Sequence, residues 1–130
     1  MGLTLLRHTT PLVDLSLCYG RTELDVAPSF AEEAAAVLAE LPPVDRIVSS
    51  PMLRCRKLAD YLSEARGVSV QEDRRVVEMD FGDWEGQAWS DIPRAELDAW
   101  AADFLHARPH GGESVADLRA RVSEALSEEL

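Results

Sequence analysis

The stretch Arg46-Ile47-Val48-Ser49-Ser50-Pro51-Met52-Leu53-Arg54-Cys55 changes character in its middle. Residues 46–49 read as a short apolar strand. Ser50-Pro51 then reads as an N-cap and first helical residue, opening a helix through Tyr61 to about Ala65, with Gly67 as its stop. Residues 68–71 return as a short β-branched strand. Strand, helix and strand in succession form the unit from which parallel sheets with right-handed crossovers are built. Upstream, residues 3–7 are an apolar run ending in a basic residue and read as a further buried strand. Pro11, Gly20 and Pro28 then break any period. Ser29, with Glu32 three residues on, makes a capping box for a helix reaching Leu41, which Pro42-Pro43 ends. The alternation predicts an α/β fold: a mainly parallel sheet between two helical layers.

Downstream of that unit the pattern is irregular through residues 78–86. A helix is predicted over residues 94–106, with Leu97, Trp100, Ala101 and Phe104 on one face. Pro109 and Gly111-Gly112 form a loop. Ser114 with Asp117 caps a final helix whose apolar positions are Val115, Leu118, Val122, Leu126 and Leu130. An α/β chain in this rhythm is expected to return into another strand, so the fold is predicted to be C-terminally incomplete. The edge of the 3–7 strand is then left uncovered, which invites self-association by strand addition or segment exchange.

The 130 residues suit one domain spanning 1–130, and 46% hydrophobic with 28% charged residues is globular composition. No apolar run is long enough to cross a bilayer, and no secretory signal is visible. Thirteen basic against twenty-four acidic residues give a formal charge of −11, which disfavours nucleic acid and anionic membranes as partners. Cys18 and Cys55 are too few for a disulfide framework and lack metal-site spacing, so reduced thiols and a cytoplasmic location are expected.

In open parallel sheets the ligand crevice lies beyond the carboxyl ends of the strands. Three such ends carry chemistry here. Arg7-His8 closes the first strand: an imidazole attacks phosphorus, and a guanidinium binds phosphate oxygens through two points. Arg54 lies in the opening turns of the second helix, whose N–H groups attract anions. Glu78 follows the third strand, and neighbouring Phe81 and Trp84 are expected to desolvate its carboxyl and raise its pKa, as a general acid requires.

Together, Leu5-Leu6-Arg7-His8-Thr9-Thr10-Pro11, Ser49-Ser50-Pro51-Met52-Leu53-Arg54-Cys55 and Glu78-Met79-Asp80-Phe81-Gly82-Asp83-Trp84-Glu85-Gly86 resemble the successive signatures of the histidine phosphatase superfamily, the phosphoglycerate-mutase-like clan. Gly111-Gly112-Glu113-Ser114 is similar to the loop before that family's last large helix. Arg-His-Thr-Thr-Pro with Cys18-Tyr19-Gly20-Arg21 most resembles the α-ribazole phosphatase branch, which acts late in cobalamin assembly. The resemblance implies a phosphomonoesterase in which His8 becomes phosphohistidine. Arg7 and Arg54 then hold the phosphoryl oxygens, with Thr9 and Arg21 as further substrate-binding residues. Glu78 protonates the leaving alkoxide and then activates water. It implies no metal and no cofactor, since fixed guanidinium groups supply the positive charge. A small-molecule phosphomonoester is the expected partner.

Two departures from the family pattern matter. Thr9 stands where the family usually has Gly. The family also carries another histidine, in a strand–Ser-His-Gly-Gly context after the final helix, and that context does not occur before Leu130. His110-Gly111-Gly112 is not preceded by an apolar strand, so His106 and His110 are expected to be solvated surface residues. The chain as written is therefore expected to hydrolyse phosphomonoesters far below a complete member. Two rival readings stay open: a phosphate-ester-binding module with little or no turnover, and a phosphoglycerate-mutase-like phosphotransferase.

Overall fold

The computed structural model describes residues 2–129, which divide into two compact units. The first takes the chain up to Val13 and Glu23–Val76; the second takes Asp14–Thr22 and Val77–Glu129.

The first unit is built on the decisive stretch. Strand β1 (Ile47–Ser49) leads to a helix over Leu53–Arg66, and strand β2 (Val70–Glu72) pairs parallel to β1. Its register is Ile47 to Val70, Val48 to Gln71 and Ser49 to Glu72. Before them comes helix α1 (Phe30–Glu40), so Leu53–Arg66 is α2. Ala34 and Leu41 of the α1 region meet Leu58 and Leu62 of α2, with Phe30, Val37, Leu38, Val44, Ile47 and Tyr61 closing around them. Phe30 and Tyr61 pack edge to face at 6.1 Å.

Both helices end as their sequences require. Gly67 has φ 67° and donates its N–H to the Ser63 carbonyl, a left-handed cap suited to glycine. At Pro42 the α1 carbonyls lose their continuation, and the Arg66 guanidinium supplies the missing donors to Leu38, Leu41 and Pro42.

The helix starts differ from expectation. Ser29 makes no capping bond to the backbone; its hydroxyl donates to Glu33, four residues on, rather than pairing with Glu32. Helix α2 begins at Leu53 with Met52 as N-cap, and the Ser50 hydroxyl accepts from the Met52 N–H one step earlier.

Residues 3–7 are not a strand. Leu3, Leu5 and Leu6 are exposed, Leu5 at 72%. Among the described residues the sheet has two strands only, β1 and β2. Without a paired neighbour an apolar run gains neither ladder bonds nor burial from pleating. The bare strand edge expected for self-association is therefore not formed; exposed leucines occupy that position instead.

The second unit has almost no regular sheet, only an isolated bridge between Leu17 and Ala88. Its core is aromatic. Cys18, Trp84 and Ile92 are buried with Phe81, Leu97 and Trp100 against them. Trp84 lies 5.5 Å from Trp100 and 5.0 Å from His110, ring centre to ring centre. Helix α3 covers Arg94–Ala102 and stops short of the predicted 106, because Asp103 leaves helical geometry at φ −140° and ψ 65°. Phe104 is consequently exposed. Helix α4 covers Val115–Glu129, and the Ser114 hydroxyl accepts from Asp117 N–H as a cap should. Leu130, expected as the last residue of its apolar stripe, lies outside the described residues.

Among the described residues, no helix is long and apolar enough to cross a membrane. His110 corrects the expectation of a surface histidine. It is fully buried, with Nδ1 accepting from Gly112 N–H, and burial lowers its pKa. His106 is exposed.

Neither cysteine is in a disulfide. Burial, then the charges of Glu85 and Glu78, push the Cys18 thiol up to about 12. In the folded protein at pH 8, Cys18 should therefore resist iodoacetamide and react only after denaturation, as mass mapping of the alkylated peptides will read. Leu62→Ala empties part of the α1–α2 contact and should cost roughly 2–5 kcal/mol in urea unfolding.

Candidate functional site

In the first unit, Arg7, His8, Thr9 and Arg54 are the residues expected to meet substrate. Arg7 is exposed, His8 half-buried and Thr9 buried. The His8 Nδ1 lies 2.7 Å from the Thr9 carbonyl oxygen. A carbonyl only accepts, so Nδ1 carries a proton, and in the neutral ring the lone pair is then on Nε2, the tautomer a nucleophile at Nε2 needs. The next residue is anchored as well. Glu33 of α1 accepts from the Thr10 N–H at 3.1 Å and the Thr10 hydroxyl at 2.9 Å. Hydrogen bonds from Ser29 and Thr10 hold the Glu33 carboxyl below its ordinary pKa. The loop carrying His8 is thus tied to the start of α1 by one carboxylate.

Thr9 supplies a further observation: its hydroxyl is buried and has no hydrogen-bond partner among the described residues. Buried hydroxyls are normally paired, so an unmatched one beside His8 suits a ligand oxygen. Arg54, in the first turn of α2, is fully buried. The helix start itself differs from expectation, because the Leu53 N–H is taken at 2.8 Å by the carboxylate of Glu23. The anion at the N-terminus of α2 is one of the protein's own.

In the second unit, Arg21 and Glu78 come together. The Glu78 carbonyl oxygen accepts from Arg21 Nε at 2.9 Å and from Arg121 Nη2 at 3.2 Å. Arg121 also grips both oxygens of Glu113, at 2.7 and 2.9 Å. Glu113 in turn exchanges bonds with the backbone of Asp80, through Glu113 N–H to Asp80 O at 2.9 Å and Asp80 N–H to Glu113 Oε1 at 3.4 Å. The Gly-Gly-Glu-Ser loop is therefore knitted to the loop that carries Glu78. Gly82 completes the seam: its φ is 53°, and a Cβ there would stand 2.3 Å from the His110 carbonyl oxygen. Only glycine fits so close a backbone approach.

Arg121, Glu113 and Glu85 were not singled out as site residues from sequence. Their spacing along α4 and the loops has no pattern of its own; only the folded loops bring them to Glu78. The rings of Phe81 and Trp84, expected beside the Glu78 carboxyl, pack into the cluster with Trp89, Trp100 and His110. They form a rigid base for the loop. Among the described residues, no group of three or more His, Cys, Asp or Glu side chains is arranged to hold a metal ion.

Comparison with known proteins gives the chain a family. The model of the histidine phosphatase superfamily (branch 1) matches residues 3–130. Glucosyl-3-phosphoglycerate phosphatase of Mycobacterium tuberculosis is 40% identical over 112 residues, covering 82% of this chain and 49% of that protein. Adenosylcobalamin/alpha-ribazole phosphatase of Salmonella typhimurium is 29% identical over 126 residues, covering 84% and 62%. The chain thus spans about half to three fifths of the length of these relatives. The solved structure of the mycobacterial glucosyl-3-phosphoglycerate phosphatase superposes with a TM-score of 0.76 at 32% identity, covering 93% of this chain and 59% of that one. A putative alpha-ribazole-5′-P phosphatase from Escherichia coli gives a TM-score of 0.81 at 24% identity, covering 94% of this chain and 63% of that one, a likeness of fold.

The Glu113 carboxyl is held below its ordinary value of 4.5, chiefly by its hydrogen bond to Arg121. A carboxyl with a lowered folded pKa stabilises fully above the unfolded value and loses that contribution as pH falls through the folded one. Glu113→Gln should therefore lower the urea midpoint near pH 7. The difference from the parent protein should shrink as pH falls through the lowered folded value, below which the carboxyl is protonated in both states.

Proposed function

Because the chain belongs to the histidine phosphatase superfamily, we propose that it hydrolyses phosphomonoesters through a phosphohistidine on His8. The observation that carries this reading is the His8 ring itself, whose Nδ1 bond to the Thr9 carbonyl leaves the neutral ring's lone pair on Nε2. The buried, unmatched Thr9 hydroxyl beside it supports a phosphoryl oxygen at that place.

In this mechanism Nε2 forms a bond to phosphorus as the bond to the ester oxygen breaks. Arg7 and Arg54 bind the equatorial oxygens, where charge accumulates. Arg21 is a further substrate-binding residue in this reading, although its Nε is engaged with Glu78. Glu78 gives its proton to the departing alkoxide. As a carboxylate it then takes a proton from water, whose oxygen attacks phosphorus and breaks the nitrogen–phosphorus bond. Inorganic phosphate leaves, and His8 returns to its neutral form. No metal or cofactor enters any step, and the substrate is a small soluble ester.

For the alcohol, α-ribazole phosphate remains the reading suggested by Arg7–Pro11 and Cys18–Arg21. The 40% identity to the mycobacterial enzyme favours a second one, a phosphorylated sugar acid such as glucosyl-3-phosphoglycerate. Assaying both esters side by side decides between them, with kcat/KM at least about tenfold apart for the true substrate.

Three variants of the natural gene product test the roles. His8→Ala should abolish both turnover and the acid-labile phosphoenzyme trapped by rapid quenching; phosphate mapped to another residue during turnover overturns the assignment. Arg54→Lys keeps the charge but loses the planar two-point contact, so kcat/KM should fall strongly; unchanged kinetics would make Arg54 a packing residue. Glu78→Gln should cost roughly 10²–10⁴-fold on alkyl phosphates and much less on an activated aryl phosphate, whose leaving group needs little protonation.

A further inference from the structure

An ionised carboxylate offers about four lone-pair sites, and five donors converge on that of Glu85. Oε1 accepts from Gly20 N–H at 2.9 Å, from Thr22 N–H at 3.0 Å and from the Thr22 hydroxyl. Oε2 accepts from Arg21 N–H at 3.1 Å and from Phe81 N–H at 2.9 Å. Burial pushes the Glu85 pKa up, but these bonds, led by the Thr22 hydroxyl, outweigh it and hold the carboxyl below 4.5. The side chain is therefore anionic at neutral pH and saturated with partners.

Four of those donors belong to residues 20–22, a segment with no ladder of its own. Its other ties lead directly to Glu78. Arg21 reaches with Nε to the Glu78 carbonyl. Gly20 lies so close to the next residue that a Cβ would stand 1.8 Å from the Met79 carbonyl oxygen. The fifth donor, Phe81, sits three residues beyond Glu78 on the same loop. Glu85 thus joins both sides of the backbone that presents Glu78.

We propose that Glu85 is a positioning residue for Glu78: it holds residues 20–22 in the conformation from which Arg21 grips the Glu78 carbonyl. The inference rests on the phosphatase reading, in which Glu78 delivers a proton to the leaving group. Glu85 acts through Arg21 and the loop, not on substrate.

A carboxylate that only stabilised the fold would lower the active fraction and slow every substrate equally. A positioning carboxylate changes one step. Its loss grows with the basicity of the leaving group and disappears once Glu78 has no proton to give. Glu85→Gln keeps the shape but turns an NH₂ group toward N–H donors, so part of the cluster opens.

The experiment is a double-mutant cycle of Glu85→Gln and Glu78→Gln in the natural gene product, with one alkyl and one aryl phosphate. Glu85→Gln is expected to lower kcat roughly 10- to 100-fold on the alkyl ester, the cost of about 1 Å of misplacement. The aryl ester should lose only a few-fold in kcat. In the Glu78→Gln background the same change should have little further effect. Equal losses on the two esters, or losses that multiply in the double variant, overturn the positioning role. If Glu78→Gln alone shows no dependence on leaving group, the acid assignment falls and takes this inference with it. That result involves no change at Glu85, so the two failures are distinguishable. Should Glu85→Gln not fold, Thr22→Val removes one bond and keeps the carboxylate. It should give the same leaving-group pattern at smaller size, and a flat pattern overturns the proposal.

Discussion

Every backbone N–H and C=O that leaves water must find a partner, and most of this chain has no sheet to provide one. The helices supply their own partners, β1 and β2 pair over three residues and turns close many of the rest; at the loops that carry the site, charged side chains complete the set. Glu85 serves the amides of Gly20, Arg21, Thr22 and Phe81; Glu23 serves Leu53; Glu33 serves Thr10. On the acceptor side, Arg66 serves the end of α1, while Arg21 and Arg121 serve Glu78. Part of the acidic excess is thereby structural: these carboxylates stand where ladder carbonyls would otherwise be.

The same device holds the loops that carry Glu78 and His8. A loop held only by hydrophobic contact would drift over several conformations, because apolar packing is not directional. A loop whose amides are bonded to a fixed carboxylate has one conformation with all partners satisfied. Glu78 lies on such a loop, between Asp80, bonded to Glu113, and the two guanidinium groups on its own carbonyl. His8 lies on another, followed by Thr10 on Glu33. Beneath the Glu78 loop, the buried rings of Trp84 and His110 supply a base that resists displacement, since their edge-to-face contacts have fixed geometry.

His110 shows how position in the fold overrides residue type. In sequence it is a histidine followed by two glycines, within a polar loop. In the structure it is a core residue whose ring accepts from Gly112 and whose carbonyl accepts from Asp83, with Gly82 pressed against it. Burial favours its neutral form, which suits a place among three tryptophan and phenylalanine neighbours.

Local chemistry was sufficient to read the strand–helix–strand unit, the stop at Gly67, the cap at Ser114 and the ordered motifs carrying Arg7-His8, Arg54 and Glu78. Each of these depends on residues within a few positions of one another, where period, capping and turn preferences act directly. The strand at residues 3–7 could not be decided that way, because a strand exists only when a neighbour pairs with it. Nor could the end of α3, where the backbone of Asp103 leaves helical geometry. The carboxylate cluster of Glu85 and the grip of Arg121 on Glu78 join residues far apart in the chain, and no local pattern marks them. The sequence by itself determined the strand–helix–strand unit, the helices around it and the order of the motifs. Tertiary structure alone decided which charges hold the loops, because those partners meet only after the chain has closed on itself.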